Sequence, residues 1–276
     1  MAAQRAGYLA AVTAYLLWGL FPLYWRLLRP ATAVEILAHR IVWSAVFVLG
    51  VIAVLRSWRT LRTLLRRRTL LTIGVAAVLV GVNWGIYIYG VNAERVVETS
   101  LGYFINPLVT VLLGVLVLRE RLTAAQWVAV GVGAVAVGVL TVDYGHIPVV
   151  ALSLAATFGL YGLAKKRLQV PAAHGLALES GLLFLPAAGY LVALTVAGRS
   201  TFGAVSGVHT ALLVGSGVAT AVPLLLFAAA ANRIPLTAIG LLQYLAPTLQ
   251  LACGVLIFHE PMPPARLLGF ALVWLA

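Results

Sequence analysis

The stretch Thr99–Leu122, TSLGYFINPLVTVLLGVLVLRERL, is an apolar run with a proline near its middle and charged residues at its end. A related stretch begins 140 residues later, at Ile239–Met262, and is IGLLQYLAPTLQLACGVLIFHEPM. At this offset, matching positions carry the same or a similar residue: Gly19 and Gly159, Arg26 and Lys166, Pro107 and Pro247, Glu120 and Glu260. Such a constant offset predicts two copies of one unit, which we place at residues 1–142 and 143–276.

The composition is that of an integral membrane protein. Hydrophobic residues make up 63% of the 276 residues and charged residues only 9%, too few polar groups to cover a soluble domain. Apolar runs of roughly 20 residues, the length that crosses a bilayer, follow one another along the chain. We therefore predict an all-α polytopic membrane protein of ten transmembrane helices. Their approximate bounds are Gly7–Trp25, Val34–Leu55, Leu70–Asn92, Val96–Leu118, Thr123–Val142, Ile147–Ala164, Ala172–Ala197, Val208–Ala231, Pro235–Phe258 and Pro264 onward, the tenth apparently truncated.

The basic residues predict the orientation. Thirteen Lys and Arg fall on the side of the N-terminus and five on the other side, with Arg40 inside a helix. Cytoplasmic loops carry such an excess, so we predict a cytoplasmic N-terminus in the inner (cytoplasmic) membrane. Basic loops beside anionic lipid also explain the net charge of +12 without a nucleic-acid partner. Since five helices per copy is an odd number, the copies should form an inverted repeat, a plan of secondary transporters with the substrate site between the copies.

The repeated prolines, Pro107 and Pro247, each remove a backbone N–H and free the carbonyl one turn earlier. Polar residues on the same helical faces either bond to neighbouring helices or line a solute cavity. Their occurrence in both copies favours a cavity between the fourth and ninth predicted helices. The predicted substrate-binding residues on and near these faces are Tyr103, Asn106, Gln243, Gln250, Trp18, Asn83, Trp84, Tyr87 and Tyr161.

Aromatic residues of the first predicted helix lie at two depths. Tyr24 and Trp25 are close to its end, so we predict that they belong to the interfacial aromatic belt. Trp18 and, in the third helix, Trp84 are deeper. They either line a pocket that accepts flat solutes or pack against neighbouring helices.

Charged residues are predicted inside two further helices. Thr32 and Glu35 match a capping box, and Glu35 and His39 are four residues apart. Glu179 is the repeat equivalent of His39. Glu35, His39, Arg40 and Glu179 form either a structural ion pair or a substrate or proton site. In both cases we expect His39, Arg40 and Glu179 to face protein, because charge facing lipid is costly.

Several stretches resemble the EamA type of the drug/metabolite transporter superfamily, and within it the RarD group of permeases. They include WGLFPLYWRLL at Trp18–Leu28, EILAHRIVWS at Glu35–Ser44, NWGIYIYGVN at Asn83–Asn92, ETSLGYFINPL at Glu98–Leu108 and TFGLYGLAKK at Thr157–Lys166. The resemblance implies a plasma-membrane permease, often an exporter of metabolites or drugs. Small multidrug exporters of the superfamily use an acidic residue in their first helix. Gly7–Trp25 has none, so that proton-coupled mechanism does not carry over.

The sequence has no metal-ligand spacing, phosphate-binding glycine loop or GxSxG elbow. We therefore predict no catalytic residues, no metal and no cofactor, and a small-molecule substrate and the lipid bilayer as partners of a monomer or homodimer. The alternative is a membrane-embedded enzyme acting on lipid-linked substrates. It would need acids, histidines or basic residues clustered at one interface, whereas the acids here are spread thinly.

Overall fold

The structure is a computed structural model that describes residues 2–119, 124–168, 170–231, 233–234, 238 and 242–275. Helices are the regular elements of these residues. In chain order they are α1 (Ala2–Gly19), α2 (Phe21–Leu27), α3 (Ala33–Val54), α4 (Trp58–Thr63), α5 (Arg67–Asn92), α6 (Val96–Leu118), α7 (Ala124–Tyr144), α8 (Val149–Leu168), α9 (Ala172–Val196), α10 (Gly207–Ala231), α11 (Leu245–Ala252) and α12 (Pro264–Leu275). A π-helical turn, Cys253–Ile257, follows α11 directly.

Six of these helices, α3, α5, α6, α7, α9 and α10, are long and apolar enough to cross a membrane. Together, α1 and α2 form a seventh candidate span with a bend of 43°. The apolar parts of α8 and of α11 with its π turn are shorter, so ten full spans are not reached within the described residues. The first residues of the predicted ninth helix, Pro235–Phe258, are mostly not among the residues that the structure describes. The charged residues 120–121 are not among them either.

The predicted first span, Gly7–Trp25, is broken at Leu20. Pro22 lies in the first turn of α2 and has no N–H, so it cannot donate to the carbonyl of Trp18, four residues earlier. Gln250 of α11 replaces the lost donor, since its Nε2 lies 3.1 Å from that carbonyl oxygen. A side chain from a distant part of the chain thus satisfies the group that the proline leaves free.

Glu260, in the segment between the π turn and α12, caps the start of α6. Its Oε1 accepts a hydrogen bond from the backbone N–H of Val96 at 2.6 Å, and its Oε2 accepts one from Val97 at 2.7 Å. These bonds satisfy two of the free donors of the helix and place negative charge at the positive end of its dipole. Burial raises the pKa of the Glu260 carboxyl, against the lowering effect of the two amides.

The helices of the two predicted copies pack on each other throughout the bundle. α8 packs on α5 and α6, α3 packs on α9 and α10, and α1 packs on α10 and α11. α7 packs on α12, and α5 also contacts α9. Close approach requires glycine at one of these crossings, because a Cβ at Gly217 of α10 would lie 2.3 Å from the backbone carbon of Trp43 in α3.

We expect Gln250→Leu to lower the melting temperature of the purified protein. The substitution keeps side-chain volume but leaves the Trp18 carbonyl without its donor, at a cost of about 1 kcal/mol. Differential scanning fluorimetry in detergent measures the shift. Thr248→Val is the control, since the exposed Thr248 hydroxyl donates only to the carbonyl of Tyr244 in its own turn. An equal melting temperature for both variants would contradict a stabilising role of Gln250.

Candidate functional site

Arg40 lies in the first half of α3 and is only 4% exposed. Three aromatic rings surround its guanidinium group: the guanidinium carbon is 4.0 Å from the ring centroid of Trp84, 4.9 Å from that of Trp25 and 5.7 Å from that of Phe21. These cation–π contacts stabilise the charge. Nevertheless, Nε and Nη1 of Arg40 have no hydrogen-bond partner among the described residues. Below, the arginine and its three rings are called the Arg40 cluster.

Asn83 of α5 connects three helices beside the Arg40 cluster. Its Nδ2 donates to the carbonyl of Leu154 at 3.0 Å and to Oγ1 of Thr157 at 2.9 Å, both in α8. Its Oδ1 accepts a hydrogen bond from the hydroxyl of Tyr103 in α6 at 3.3 Å. Asn83 is buried and bonded at both ends of its amide, so in this conformation it acts as a cross-link between α5, α6 and α8.

A row of aromatic rings runs from this cross-link to a buried ion pair. The rings of Tyr87 and Tyr103 are 5.5 Å apart, and Phe158 continues the row at 6.1 Å from Tyr103 and 5.9 Å from Tyr161. The hydroxyl of Tyr161 donates to Oε2 of Glu179 at 3.2 Å. The hydroxyl of Tyr87 has no partner in the part of the chain that is described. Apolar walls with few polar groups are typical of small-molecule sites.

The Glu179 carboxylate is paired with a lysine. Nζ of Lys165 in α8 lies 2.7 Å from Oε1 of Glu179, which is in α9. The side chain of Lys165 passes over Gly175 on its way to this carboxylate, because a Cβ at that position would collide with the lysine Nζ. Hence the glycine one turn before Glu179 gives the lysine access to the buried acid.

Burial of the three predicted interior charges is confirmed. Arg40 and His39 are each 4% exposed and Glu179 is 2% exposed. The alternative of one ion pair among the four charged residues is not what the structure shows, because Glu179 pairs with Lys165 and Glu35 binds a backbone amide of another segment. The partners of these side chains come from helices and loops that are distant in sequence.

Glu35 and His39 have separate partners. Thr32 caps α3 as predicted, since its Oγ1 accepts a hydrogen bond from the backbone N–H of Glu35 at 3.2 Å. The Glu35 side chain, however, reaches the segment between α9 and α10 and accepts a hydrogen bond from the N–H of Thr201 at 2.7 Å. His39 stacks on the ring of Phe202 at 4.9 Å and accepts a bond from the indole N–H of Trp43 at 3.3 Å.

The prediction that Trp25 belongs to an interfacial belt is wrong. Trp25 is fully buried against Arg40, and its indole Nε1 has no partner among the described residues. Tyr24 is half-buried, and its hydroxyl donates to the carbonyl of Leu212 in α10 at 2.6 Å. The bend after α1 turns this segment toward the bundle, where the rings of α2 shield the buried charge.

The other predicted site residues lie around the junction of α1, α6, α8 and α11. Trp18 packs against Tyr15 and Phe227, with ring centroids 5.5 Å and 5.8 Å away. Asn106 is half-buried on α6, near Gly159 of α8, and its Oδ1 has no partner among the described residues. Gln243 is half-buried just before α11.

The predicted proximity of α6 and α11 is seen in the stacking of Phe104 on Tyr244, with ring centroids 6.3 Å apart. A cavity of about 320 Å³ lies elsewhere, next to His39, between α3, α9 and the segment after α9. It is lined mainly by apolar side chains. The cavity between α6 and α11 remains a prediction.

Sequence reasoning missed Phe21, Phe158 and Lys165 as parts of this region. Phe21 and Phe158 carry no polar group that would distinguish them from packing residues. Lys165 belongs to a basic cluster that resembles an ordinary cytoplasmic loop. The available signal was Gly175, which lies four residues before Glu179 and leaves room for a long side chain.

We expect Lys165→Met to lower the melting temperature more than the double variant Lys165→Met/Glu179→Gln. The single substitution leaves a buried carboxylate without its counter-charge, which costs on the order of 3 kcal/mol, whereas the double variant removes that charge as well. Thermal unfolding of the two purified proteins measures the difference. The ion pair would be irrelevant to stability if both variants unfolded at the same temperature.

Comparisons with known proteins identify the family. The profile of the EamA-like transporter family matches residues 5–142. A protein named Protein RarD from Streptomyces exfoliatus is 54% identical over 99% of this chain and 87% of its own length. The uncharacterized transporter YojE of Bacillus subtilis (strain 168) is 46% identical, covering 100% and 93%, and Protein RarD of Escherichia coli (strain K12) is 39% identical, covering 99% and 92%.

A solved crystal structure of a protein has the same fold. It superposes with a TM-score of 0.63 at 19% sequence identity and covers 99% of this chain and 95% of its own. At that identity the likeness concerns the fold alone. The profile match and the full-length relatives together show that this chain, a multi-pass membrane protein, belongs to the EamA-like transporter family.

Proposed function

We propose that the protein is a secondary transporter that moves small organic metabolites or drugs out of the cell across the cytoplasmic membrane by alternating access. Family membership supports transport itself. The observation that carries the mechanism is the set of large helix contacts, because its pattern supports the two-fold relation that an inverted repeat requires. In this proposal, residues 1–142 and 143–276 are the two repeats, and ten spans include α8, α11 with its π turn, and α12.

Exchanging the copies maps the largest helix contacts between them onto one another. The equivalents of α1, α3, α5, α6 and α7 are α8, α9, α10, α11 and α12. The contact between α6 and α8 corresponds to the contact between α11 and α1. In the same way, the contact between α5 and α8 corresponds to the contact between α10 and α1. The contact between α3 and α10 corresponds to the contact between α9 and α5. Three further contacts each join a helix to its own equivalent in the other copy: α3 with α9, α6 with α11 and α7 with α12. This pattern supports a pseudo-two-fold axis between the copies.

Local backbone geometry also supports the repeat. Arg119 and His259 are 140 residues apart, and both adopt the left-handed conformation, with φ of 56° and 55°. Each comes just after the helical stretch that carries the repeated proline. Left-handed backbone is uncommon for residues other than glycine, so two such residues at equivalent positions favour a shared chain path.

Contacts between the copies suggest how access could alternate. Three carboxylates of the end opposite the basic loops accept hydrogen bonds from backbone amides of the other copy: Glu35 from Thr201, Glu98 from Val150 and Glu260 from Val96 and Val97. Toward the basic loops, the ion pair of Lys165 with Glu179 lies within one copy. One hydrogen bond joins the copies at this end, from Nε2 of His174 to the carbonyl of Ser57 at 3.3 Å. Fewer hydrogen bonds between the copies at this end than at the other, among the described residues, are what we expect of a structure closed on the opposite side.

Transport is tested with proteoliposomes loaded with a small-molecule extract of bacterial cytoplasm. Mass spectrometry identifies solutes that leave vesicles containing the protein but stay in protein-free vesicles. A transporter should release solutes chemically unchanged. A membrane-embedded enzyme would instead yield products absent from the extract, and an efflux profile equal to that of empty vesicles would reject the transport proposal.

We expect Asn106→Leu to reduce release of the transported solute at least several-fold while leaving the melting temperature nearly unchanged. The substitution removes an amide oxygen that has no described partner, so little folding energy depends on it. Asn83→Leu is the comparison variant, because Asn83 cross-links three helices and its loss should lower both transport and stability. Equal destabilisation of the two variants would indicate that Asn106 is structural.

Orientation is tested separately. A reporter fused after Arg62, in the short helix α4, should report a cytoplasmic location, because six arginines lie between residues 56 and 68. Alkaline phosphatase and green fluorescent protein fusions at this position give opposite readouts. Phosphatase activity at Arg62 would reverse the proposed topology.

A further inference from the structure

We propose that Arg40 binds the anionic group of the transported solute, so that the substrate is a small organic anion, a carboxylate on an apolar or aromatic body. The inference rests on the proposed transport function. It starts from a positive charge that lies inside the bundle with two donor atoms unsatisfied. Buried charges in membrane proteins are expensive and are usually paired or functional.

The described carboxylates all have other partners. Six of the seven Asp and Glu lie in the described residues, and each is engaged by a basic side chain or a backbone amide away from Arg40: Glu35, Glu94, Glu98, Asp143, Glu179 and Glu260. The seventh, Glu120, lies outside the described ranges. Within these limits the protein supplies no counter-ion for Arg40, and the cation–π contacts do not replace the missing acceptors.

Three further polar groups near Arg40 lack a described partner and can donate hydrogen bonds. They are the indole N–H of Trp25, which belongs to the Arg40 cluster, and the hydroxyls of Tyr87 and Ser44. Ser44 lies one turn after Arg40 on the same side of α3. An anion accepts hydrogen bonds from all of these groups and from the unsatisfied guanidinium donors of Arg40, and bonds from a charged donor to a carboxylate are among the strongest in proteins.

The surroundings also favour an apolar body on the anion. Trp84 and Phe21 are buried beside the guanidinium, and the row of rings from Tyr87 to Tyr161 extends from this region. Arg40 is too buried for a lipid headgroup to reach it at the membrane surface. A soluble anion that enters between the two copies is therefore the occupant that fits both the charge and the rings.

The test uses the full chain in uncharged detergent and in phosphatidylcholine vesicles, which contain no anionic lipid. The probes are matched acid and amide pairs, butyrate with butyramide, benzoate with benzamide and phenylacetate with phenylacetamide, together with inorganic phosphate. We expect at least one carboxylate to raise the melting temperature and its amide to leave it unchanged. Amides that stabilise as well as acids do, or no stabilisation by any carboxylate, would overturn the proposal. Stabilisation by inorganic phosphate alone would also overturn it, since no organic substrate would then be recognised.

Variants separate binding from packing. Arg40→Lys keeps the charge but loses the planar fork, so the acid should bind about tenfold more weakly and still be preferred over the amide. Arg40→Met should abolish binding without lowering the melting temperature of the ligand-free protein, because it removes an uncompensated charge. Arg26→Met is the matched control: Arg26 also lies over an aromatic ring, that of Phe258, but is paired with Glu94 and should not affect binding.

Two results would count against Arg40 specifically. Retained acid binding in Arg40→Met would show that another group holds the anion. A lower melting temperature of ligand-free Arg40→Met, with acid binding equal to that of the unaltered protein, would assign Arg40 a packing role.

Failure of the anion site and failure of transport give different results. Release of neutral solutes only, with no acid bound, leaves transport intact and overturns the anion site. Acid binding that depends on Arg40 in a protein that releases no solute rejects transport and keeps the site.

Discussion

Polar groups inside this bundle must find their partners within the protein, because a hydrocarbon environment supplies none. The constraint explains why distant segments are connected. The Trp18 carbonyl, which Pro22 leaves free, is bonded by Gln250, and the first amides of α6 are bonded by Glu260. Each bond satisfies a group that local structure cannot satisfy, and each also joins the first half of the chain to the second half. Helix ends and breaks therefore determine where these bonds between the two halves form.

Arg40 departs from this rule, and its contrast with Glu179 is informative. Both charges are buried at comparable depth, but Glu179 has a lysine and a tyrosine hydroxyl as partners. Arg40 is surrounded by aromatic rings, and its Nε and Nη1 have no hydrogen-bond partner among the described residues. Proteins tend to break the rules of stable packing where a function requires it. The repeat equivalents of Arg40, Asn83 and Tyr87 are Ser180, Pro223 and Phe227, so the second copy does not duplicate this combination of charge and polar groups. A site built on Arg40 would thus have no equivalent in the second copy of the proposed repeat.

The sequence predicted the helical architecture well and the side-chain partners poorly. Length and hydropathy sufficed for α6, whose predicted and observed bounds coincide at Val96–Leu118, and for the start of the last helix at Pro264. Burial of His39, Arg40 and Glu179 followed from the cost of charge in lipid. The partner of Glu179 did not follow, because Lys165 is in α8 and Glu179 is in α9, and helical periodicity relates only residues of one helix. Trp25 was misplaced because its closeness to the end of the predicted helix did not reveal that its ring packs on the buried Arg40.

The positions of the cross-copy bonds relative to Arg40 bear on how a solute could reach it. In the proposed repeat, the rings of Phe21, Trp25 and Trp84 belong to the same copy as Arg40. A rigid movement of the copies would therefore not separate these rings from the guanidinium. The bonds of Asn83 to Leu154 and Thr157, by contrast, cross from one copy to the other and would have to break. Separation at that crossing would free the Asn83 Nδ2 donor and its acceptors in α8, while the Tyr103 hydroxyl, in the same copy as Asn83, would keep its bond to Oδ1. Opening would thereby create free polar groups next to a charge that already lacks acceptors, and a solute that used both would stabilise the separated state over the closed one.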